Sequence, residues 1–127
     1  MSDFLGEAHT VAQALRAATE LLGPRTDGAR FDAEVLMAHA LGASRSEMFL
    51  KRMGDPVPPA FTPLVERRAA HEPVAYIVGH QNFFGLEFAV TRDVLIPRHD
   101  SEVLVEMALA AAPRARRVLD CGTGSGA

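Results

Sequence analysis

The sequence is poor in the residues that staple a chain or anchor it in a membrane. Cysteine occurs once in 127 residues, at Cys121. An internal disulfide is thereby excluded, and a zinc site would have to be assembled mostly from scattered histidines. A reducing, cytoplasmic setting is the natural reading. The longest apolar run, Met107 to Ala112, is far below the roughly 18 residues that a membrane-spanning helix needs. No run of five like charges occurs, the net charge is −3, and the isoelectric point is about 5.9. A module that grips nucleic acid by neutralising phosphates should be more basic, so direct nucleic-acid binding is not expected. The opening MSDFLGEAHT has no early Lys or Arg and no sustained apolar core, so no secretory leader is expected.

What is present is ordinary globular composition, with 48% apolar and 23% charged residues. The length suits one small domain, or one domain plus a piece of another. The first seventy residues read as short helices. Thr10 followed three residues later by Gln13 is a capping-box pattern. Val11, Leu15, Ala18 and Leu22 then recur at helical spacing until Gly23-Pro24. A second helix is predicted from near Asp32, using Val35, Leu36, His39 and Ala40 and ending at Gly42. Ser44 with Glu47 opens a third, through Met48, Phe49 and Leu50. Thr62-Pro63 reads as an N-cap with proline in the first turn, and that helix carries Leu64 and Val65 to near Glu72-Pro73.

The pattern changes at Pro73. Residues 73–79 are apolar and β-branched. Phe83 to Val90 and Asp93 to Ile96, separated by Thr91-Arg92-Asp93, read as a β-hairpin. Glu102 to Ala112 is a helix pattern that Pro113 ends. Arg116 to Cys121 reads as a short buried strand, and Gly122 to Gly126 as a glycine-rich turn. A strand and such a turn normally open a helix of a βαβ unit, and a lone parallel strand cannot bury both faces. The chain therefore reads as the N-terminal portion of a longer protein. Residues 116–127 are expected to be poorly ordered in isolation, or paired by another chain.

The run Asp120-Cys121-Gly122-Thr123-Gly124-Ser125-Gly126 carries the most chemistry. Alternate glycines permit positive φ and let backbone amides approach a ligand closely. A turn of this kind at the carboxyl end of a strand is where open α/β sheets bind nucleotides. No Gly-Lys-Ser/Thr follows, so a Walker loop is excluded. Gly122, Gly124 and Ala127 also satisfy a dinucleotide fingerprint, and a turn without ligand is the bland alternative. The acidic residue two before the first glycine, with glycine at 126, resembles the first motif of class I S-adenosylmethionine-dependent methyltransferases.

Longer motifs point the same way. Pro73-Val74-Ala75-Tyr76-Ile77-Val78-Gly79, Phe84-Gly85-Leu86-Glu87-Phe88-Ala89-Val90, Val94-Leu95-Ile96-Pro97-Arg98, Asp100-Ser101-Glu102 and Leu119 to Ala127 follow one another in order. Together they closely resemble the protein-glutamine methyltransferases of the HemK/PrmC type, over residues 67–127. His99 stands where that pattern usually has proline, Ser101 where it has threonine, Asn82 where an acidic residue is common, and Cys121 where an aliphatic residue stands.

The resemblance implies an α+β fragment. Residues 1–72 would be a helical substrate-docking domain and 73–99 a β-hairpin linker. Residues 100–127 would be the truncated start of a Rossmann-like methyltransferase domain, namely its first strand and glycine loop. It implies S-adenosylmethionine as cofactor, held by Asp120, Gly122, Thr123, Gly124, Ser125 and Gly126. Ile96, Pro97 and Arg98 would lie on the substrate side; the bland reading of Arg98 is an ion pair across the helix start. The implied substrate is the glutamine of the Gly-Gly-Gln loop in class 1 peptide-chain release factors. A large-subunit ribosomal protein is the alternative substrate, and a nicotinamide oxidoreductase or a non-catalytic binding module are alternatives of other classes. A monomer is expected. The family's Asn-Pro-Pro-Tyr motif is absent from these residues, so no catalytic residue is named and the fragment alone is expected to be inactive. Tyr76, Phe83, Phe84 and Phe88 are expected to pack the core or hairpin. His9, His39, His71, His80 and His99 lack ligand-like spacing, so no metal is expected.

Overall fold

The structure, a computed structural model, describes residues 4–124 and 126. It is of the α+β class, with several helices and one antiparallel hairpin. The chain divides into two units, one ending at Val78 and the other starting at Gly79.

The first unit is helical. Helix α1 spans Val11–Leu22 and starts as its sequence predicts. The Thr10 hydroxyl accepts from the Gln13 amide at 3.3 Å, and the Gln13 carboxamide oxygen accepts from the Thr10 amide at 3.3 Å. The two preceding donors of the first turn are satisfied from a distant loop: the Val11 amide donates to the Asp55 carbonyl (2.9 Å) and the Ala12 amide to that of Met53 (3.0 Å). All four amides that a helix start leaves free are thus paired. Val11, Leu15, Ala18 and Leu22 are fully buried, as their spacing requires.

Helix α2 spans Ala29–Leu41, three residues longer at its start than predicted. Its buried stripe also differs. Ala29, Ala33, Leu36 and Met37 face the core, while Val35 and Ala40 are half-buried and His39 is exposed. The small residues Ala29 and Ala33 let α2 approach its neighbours, so burial follows them and not the branched Val35. Gly42 closes the helix in the left-handed region (φ 67°). Its amide donates to the His39 carbonyl at 3.1 Å and the Ala43 amide to that of Ala38 at 3.0 Å, a Schellman pair.

Ser44 accepts from the Glu47 amide at 3.1 Å and opens α3, Arg45–Glu47. The helix then widens into a π-turn over Met48–Arg52, with Met48 buried and Phe49 and Leu50 exposed. Helix α4 spans Phe61–Ala69. Thr62 is not its cap: the Phe61 amide already donates to the Pro58 carbonyl at 3.0 Å, so the first turn begins earlier. Pro63 still falls inside the first turn, where no amide donor is required. Phe61, Val65 and Ala69 form its buried face, and Phe61 is the largest fully buried side chain.

The apolar run after Pro73 is helical, not extended. Helix α5 spans Val74–Val78 and buries Ala75 and Ile77, with the Tyr76 amide on the Pro73 carbonyl at 3.0 Å. Pro73 presets the first turn, and burial of Ile77 in the helical core outweighs a weak β preference. Residues expected in the linker therefore belong to the helical unit.

In the second unit β1 is His80–Phe83 and β2 is Leu86–Ala89, paired antiparallel with Phe83 opposite Leu86 and His80 opposite Ala89. The hairpin predicted between 83–90 and 93–96 is thus shifted. Its turn is Phe84-Gly85, with φ of 51° and 76°, and 94–96 is not a strand. Positive φ at both central residues matches the right-handed twist of the strands, which Thr91-Arg92-Asp93 does not provide. That triplet is a local turn only, in which the Thr91 hydroxyl accepts from the Asp93 amide at 3.2 Å. The Phe83 and Phe88 rings meet edge to face at 6.3 Å.

Helix α6 spans Asp100–Ala111 and buries no residue; Val103, Leu104, Met107 and Leu109 are all exposed. Residues 116–121 do not form the predicted buried strand. Val118 and Leu119 are exposed, as is the free Cys121, because among the described residues no strand lies beside them to complete a ladder.

Candidate functional site

Three groups of residues in the chain carry chemistry. The first is the glycine turn. Gly122, Gly124 and Gly126 have φ of 72°, 60° and 88°, the left-handed region that a side chain rarely tolerates. A Cβ at any of the three would meet nothing within 4 Å, so backbone conformation and not crowding calls for glycine. The turn is closed by the Gly126 amide, which donates to the Thr123 carbonyl at 3.0 Å. Asp120 and Thr123 are exposed beside them. Ser125 lies outside the described residues.

The second is the exit of the hairpin. Ile96 and Pro97 are half-buried, and Arg98 is exposed. The Arg98 guanidinium stands 3.9 Å from the Asp100 carboxylate, the ion pair expected at the helix start. Both partners are so exposed that the pair contributes little. Among the described residues no hydrogen bond or ion pair joins Ile96, Pro97 or Arg98 to residues 120–126.

Sequence reasoning missed the group beside that exit. Glu102 Oε1 accepts from the Phe84 amide at 3.0 Å and lies 3.0 Å from His99 Nδ1. The Phe84 amide first, then His99, holds the Glu102 carboxyl below its ordinary range. A glutamate three residues after a helix start is a legible signal. An amide eighteen residues away as its partner is not.

The third group lies in the helical unit. Glu34 is buried, and burial alone pushes its carboxyl up. Two guanidiniums outweigh that: Arg45 donates to Oε1 at 2.5 Å and Arg30 to Oε2 at 2.8 Å, so the carboxyl is held below its ordinary value. Arg45 also lies 4.7 Å above the ring of Phe31, which is itself more than half exposed. On α4, Arg67 forks onto Glu72 and is held further toward its charged form. No three His, Cys, Asp or Glu side chains among the described residues gather as a metal ion needs. Among the described residues no helix is long and apolar enough to cross a membrane.

The PrmC N-terminal domain family matches residues 13–79, more than half of the chain, and the chain belongs to that family. It is 49% identical over 104 residues to a release factor glutamine methyltransferase of Geobacter sulfurreducens, covering 79% of this chain and 36% of that protein. It is 50% identical over 102 residues to the protein of the same name from Burkholderia pseudomallei, covering 76% and 35%. A Moorella thermoacetica protein of that name is 41% identical over 125 residues, covering 93% and 44%. The chain thus spans about two fifths of the length of the curated relatives it matches.

Proposed function

We propose that the chain is the N-terminal part of an enzyme that moves a methyl group from S-adenosylmethionine to the side-chain nitrogen of a protein glutamine, that of the Gly-Gly-Gln motif in class 1 release factors. The observation that carries this reading is identity of about one half to relatives bearing the name release factor glutamine methyltransferase, over 79% and 76% of the chain and so over more than the helical module alone. The helical unit, residues 1–72 with the α5 turn added, would dock the protein substrate. Residues 79–99 would link it to a Rossmann-like domain beginning near residue 100. An enzyme that does not touch nucleic acid directly fits the acidic balance, and the proposal takes it to be cytoplasmic and monomeric.

The cofactor supplies an electrophilic methyl on a sulfonium sulfur. In this chain the amides of Gly122, Thr123, Gly124 and Ser125 would cradle it, with Gly126, whose own amide donates to the Thr123 carbonyl at 3.0 Å, closing the turn beneath it; the Asp120 carboxylate would meet its ammonium. Ile96, Pro97 and Arg98 would border the substrate. An amide nitrogen is a poor nucleophile because its lone pair is delocalised, so the reaction depends on orientation and on electrostatic support. Groups doing that would lie outside these residues.

The test is methyl transfer by the complete protein. It is incubated with S-adenosylmethionine and, separately, with purified release factor and large-subunit ribosomal proteins, and the modified peptide is mapped by mass. One methyl on the Gly-Gly-Gln glutamine is the expected result. Transfer to a ribosomal protein would keep the chemistry and change the substrate. No transfer and no calorimetric binding of the cofactor would overturn the reading in favour of an oxidoreductase or a binding module.

A further inference from the structure

The Phe84-Gly85 turn leaves one donor over. In a two-residue hairpin the flanking pair, here Phe83 and Leu86, closes the ladder, and the amide of the first central residue points away from it. Glu102 supplies the acceptor. It is the third residue of α6, where a carboxylate ordinarily turns back to the cap of its own helix. Here Oε1 reaches out to Phe84 across eighteen residues of sequence, with His99 Nδ1 on the same oxygen. Between the two anchors run β2, the Thr91–Asp93 turn and residues 94–99, which have no regular structure apart from local turns. Ile96, Pro97 and Arg98 sit in that stretch. A segment without a ladder of its own is placed by what ties its ends.

We propose that Glu102 is a positioning residue: by holding the Phe84 amide it closes residues 84–102 into one loop and fixes where Ile96, Pro97 and Arg98 stand toward the substrate. This rests on the methyltransferase reading for its consequence, though not for the tie itself. The tie also steadies Phe84, whose left-handed backbone is costly for a residue with a Cβ. A glutamate that only complemented the α6 dipole would do so without Phe84, and any carboxylate on the first turn would replace it.

The tie is read first by nuclear magnetic resonance on this chain. Since the Glu102 carboxyl is held low, the bond persists as pH falls until the carboxyl protonates in the folded state. The Phe84 amide proton should therefore shift with the same midpoint as the Glu102 carboxyl carbon, below that of an ordinary glutamate, and Glu102→Ala should flatten its response. In the complete protein Glu102→Ala should lower kcat for the protein substrate roughly ten-fold, well short of the ~100-fold that a 1 Å displacement costs. The KM for S-adenosylmethionine should stay within about two-fold. Glu102→Gln, which keeps an acceptor for the amide, should recover most of the loss. A Phe84 amide blind to Glu102 titration overturns the tie. A Glu102→Ala enzyme with wild-type kcat overturns its positioning role. A wild-type protein that transfers no methyl at all overturns the functional reading instead, and leaves the amide titration to decide the tie.

Discussion

Arg68 on α4 donates from Nε to the Asp32 carboxylate on α2 at 2.9 Å, across thirty-six residues of sequence. Its other nitrogens reach the Thr26 hydroxyl and the Glu72 carbonyl, both at 3.1 Å. One planar fork thus ties the first turn of α2, the loop before it and the end of α4. Both side chains of the ion pair are largely covered, so the pair is worth more than a surface one. Arg68→Ala should destabilise the helical unit by about 1–3 kcal/mol, because Asp32 is left without its partner. Arg68→Lys should restore only part, since an ammonium cannot serve three acceptors in that plane. Urea unfolding followed by circular dichroism checks both; equal stability of Arg68→Ala and wild type would contradict the role given to the fork.

Glu34 makes the helical unit sensitive to acid. Its folded carboxyl titrates below the ordinary value of 4.5, so its contribution is full above that pH and is lost as pH falls through the lower, folded value. As pH falls below the ordinary glutamate range and through the lower, folded value, stability of the wild type should therefore drop more steeply than that of Glu34→Gln. At pH 7 the glutamine variant should be the less stable, because Arg30 and Arg45 lose their shared carboxylate. The measurement is the urea midpoint against pH for both proteins. Parallel curves would mean that the two guanidiniums do not hold the charge.

The hydrophobic core makes a sharper contrast. Phe61→Ala should cost about 3–5 kcal/mol, since the ring is fully buried and the cavity would be large. Leu104→Ala on α6 should stay within about 0.5 kcal/mol in this chain, because Leu104 is two-thirds exposed. Thermal melts of the two variants decide it. A large loss for Leu104→Ala would mean that α6 is covered in solution.

These residues also mark how far the sequence could be read. The Thr10–Gln13 box, the α1 stripe and the Gly42 stop were legible because local chemistry decides them. The α2 stripe was not, because a periodic pattern cannot say which of two adjacent faces a neighbour covers, and small Ala29 and Ala33 carry less apolar signal than Val35. Residues 74–78 misled for the reason that β-branched residues always can: packing on the helical core overrode a weak preference. The hairpin was recognised and misplaced, since Phe84 is an unusual residue at a turn position needing positive φ. The alternating glycines were legible as a loop. Residues 116–121 were read as a strand from their apolar character, yet a strand exists only where another strand pairs with it.

The turn itself can be tested by giving it the residue it calls for. Phe84→Asn produces Asn-Gly, the pair that best tolerates positive φ at both positions. Relieving the left-handed phenylalanine is worth on the order of 1 kcal/mol, and the exposed ring loses little on removal. Amides of residues 80–83 should become better protected from exchange. Gly85→Val, where φ is 76°, should do the reverse, although open space surrounds that position. Opposite signs from the two variants are required; the same sign would place the turn elsewhere.

The glycine loop separates local strain from ligand binding. Gly124→Val meets no neighbouring atom, so its cost is conformational, and the exposed chain around it can relax. The melting temperature of this chain should barely move. In the complete protein the same substitution disfavours the left-handed backbone on which the proposed cofactor loop depends, and calorimetric affinity for S-adenosylmethionine should fall by at least about ten-fold. Gly42→Val provides the counterpart: it strains the close of α2, should lower the melting temperature, and should leave cofactor affinity alone. If Gly124→Val left cofactor affinity unchanged, the alternating glycines would be a turn and nothing more, and Asp120 would lose its role with them.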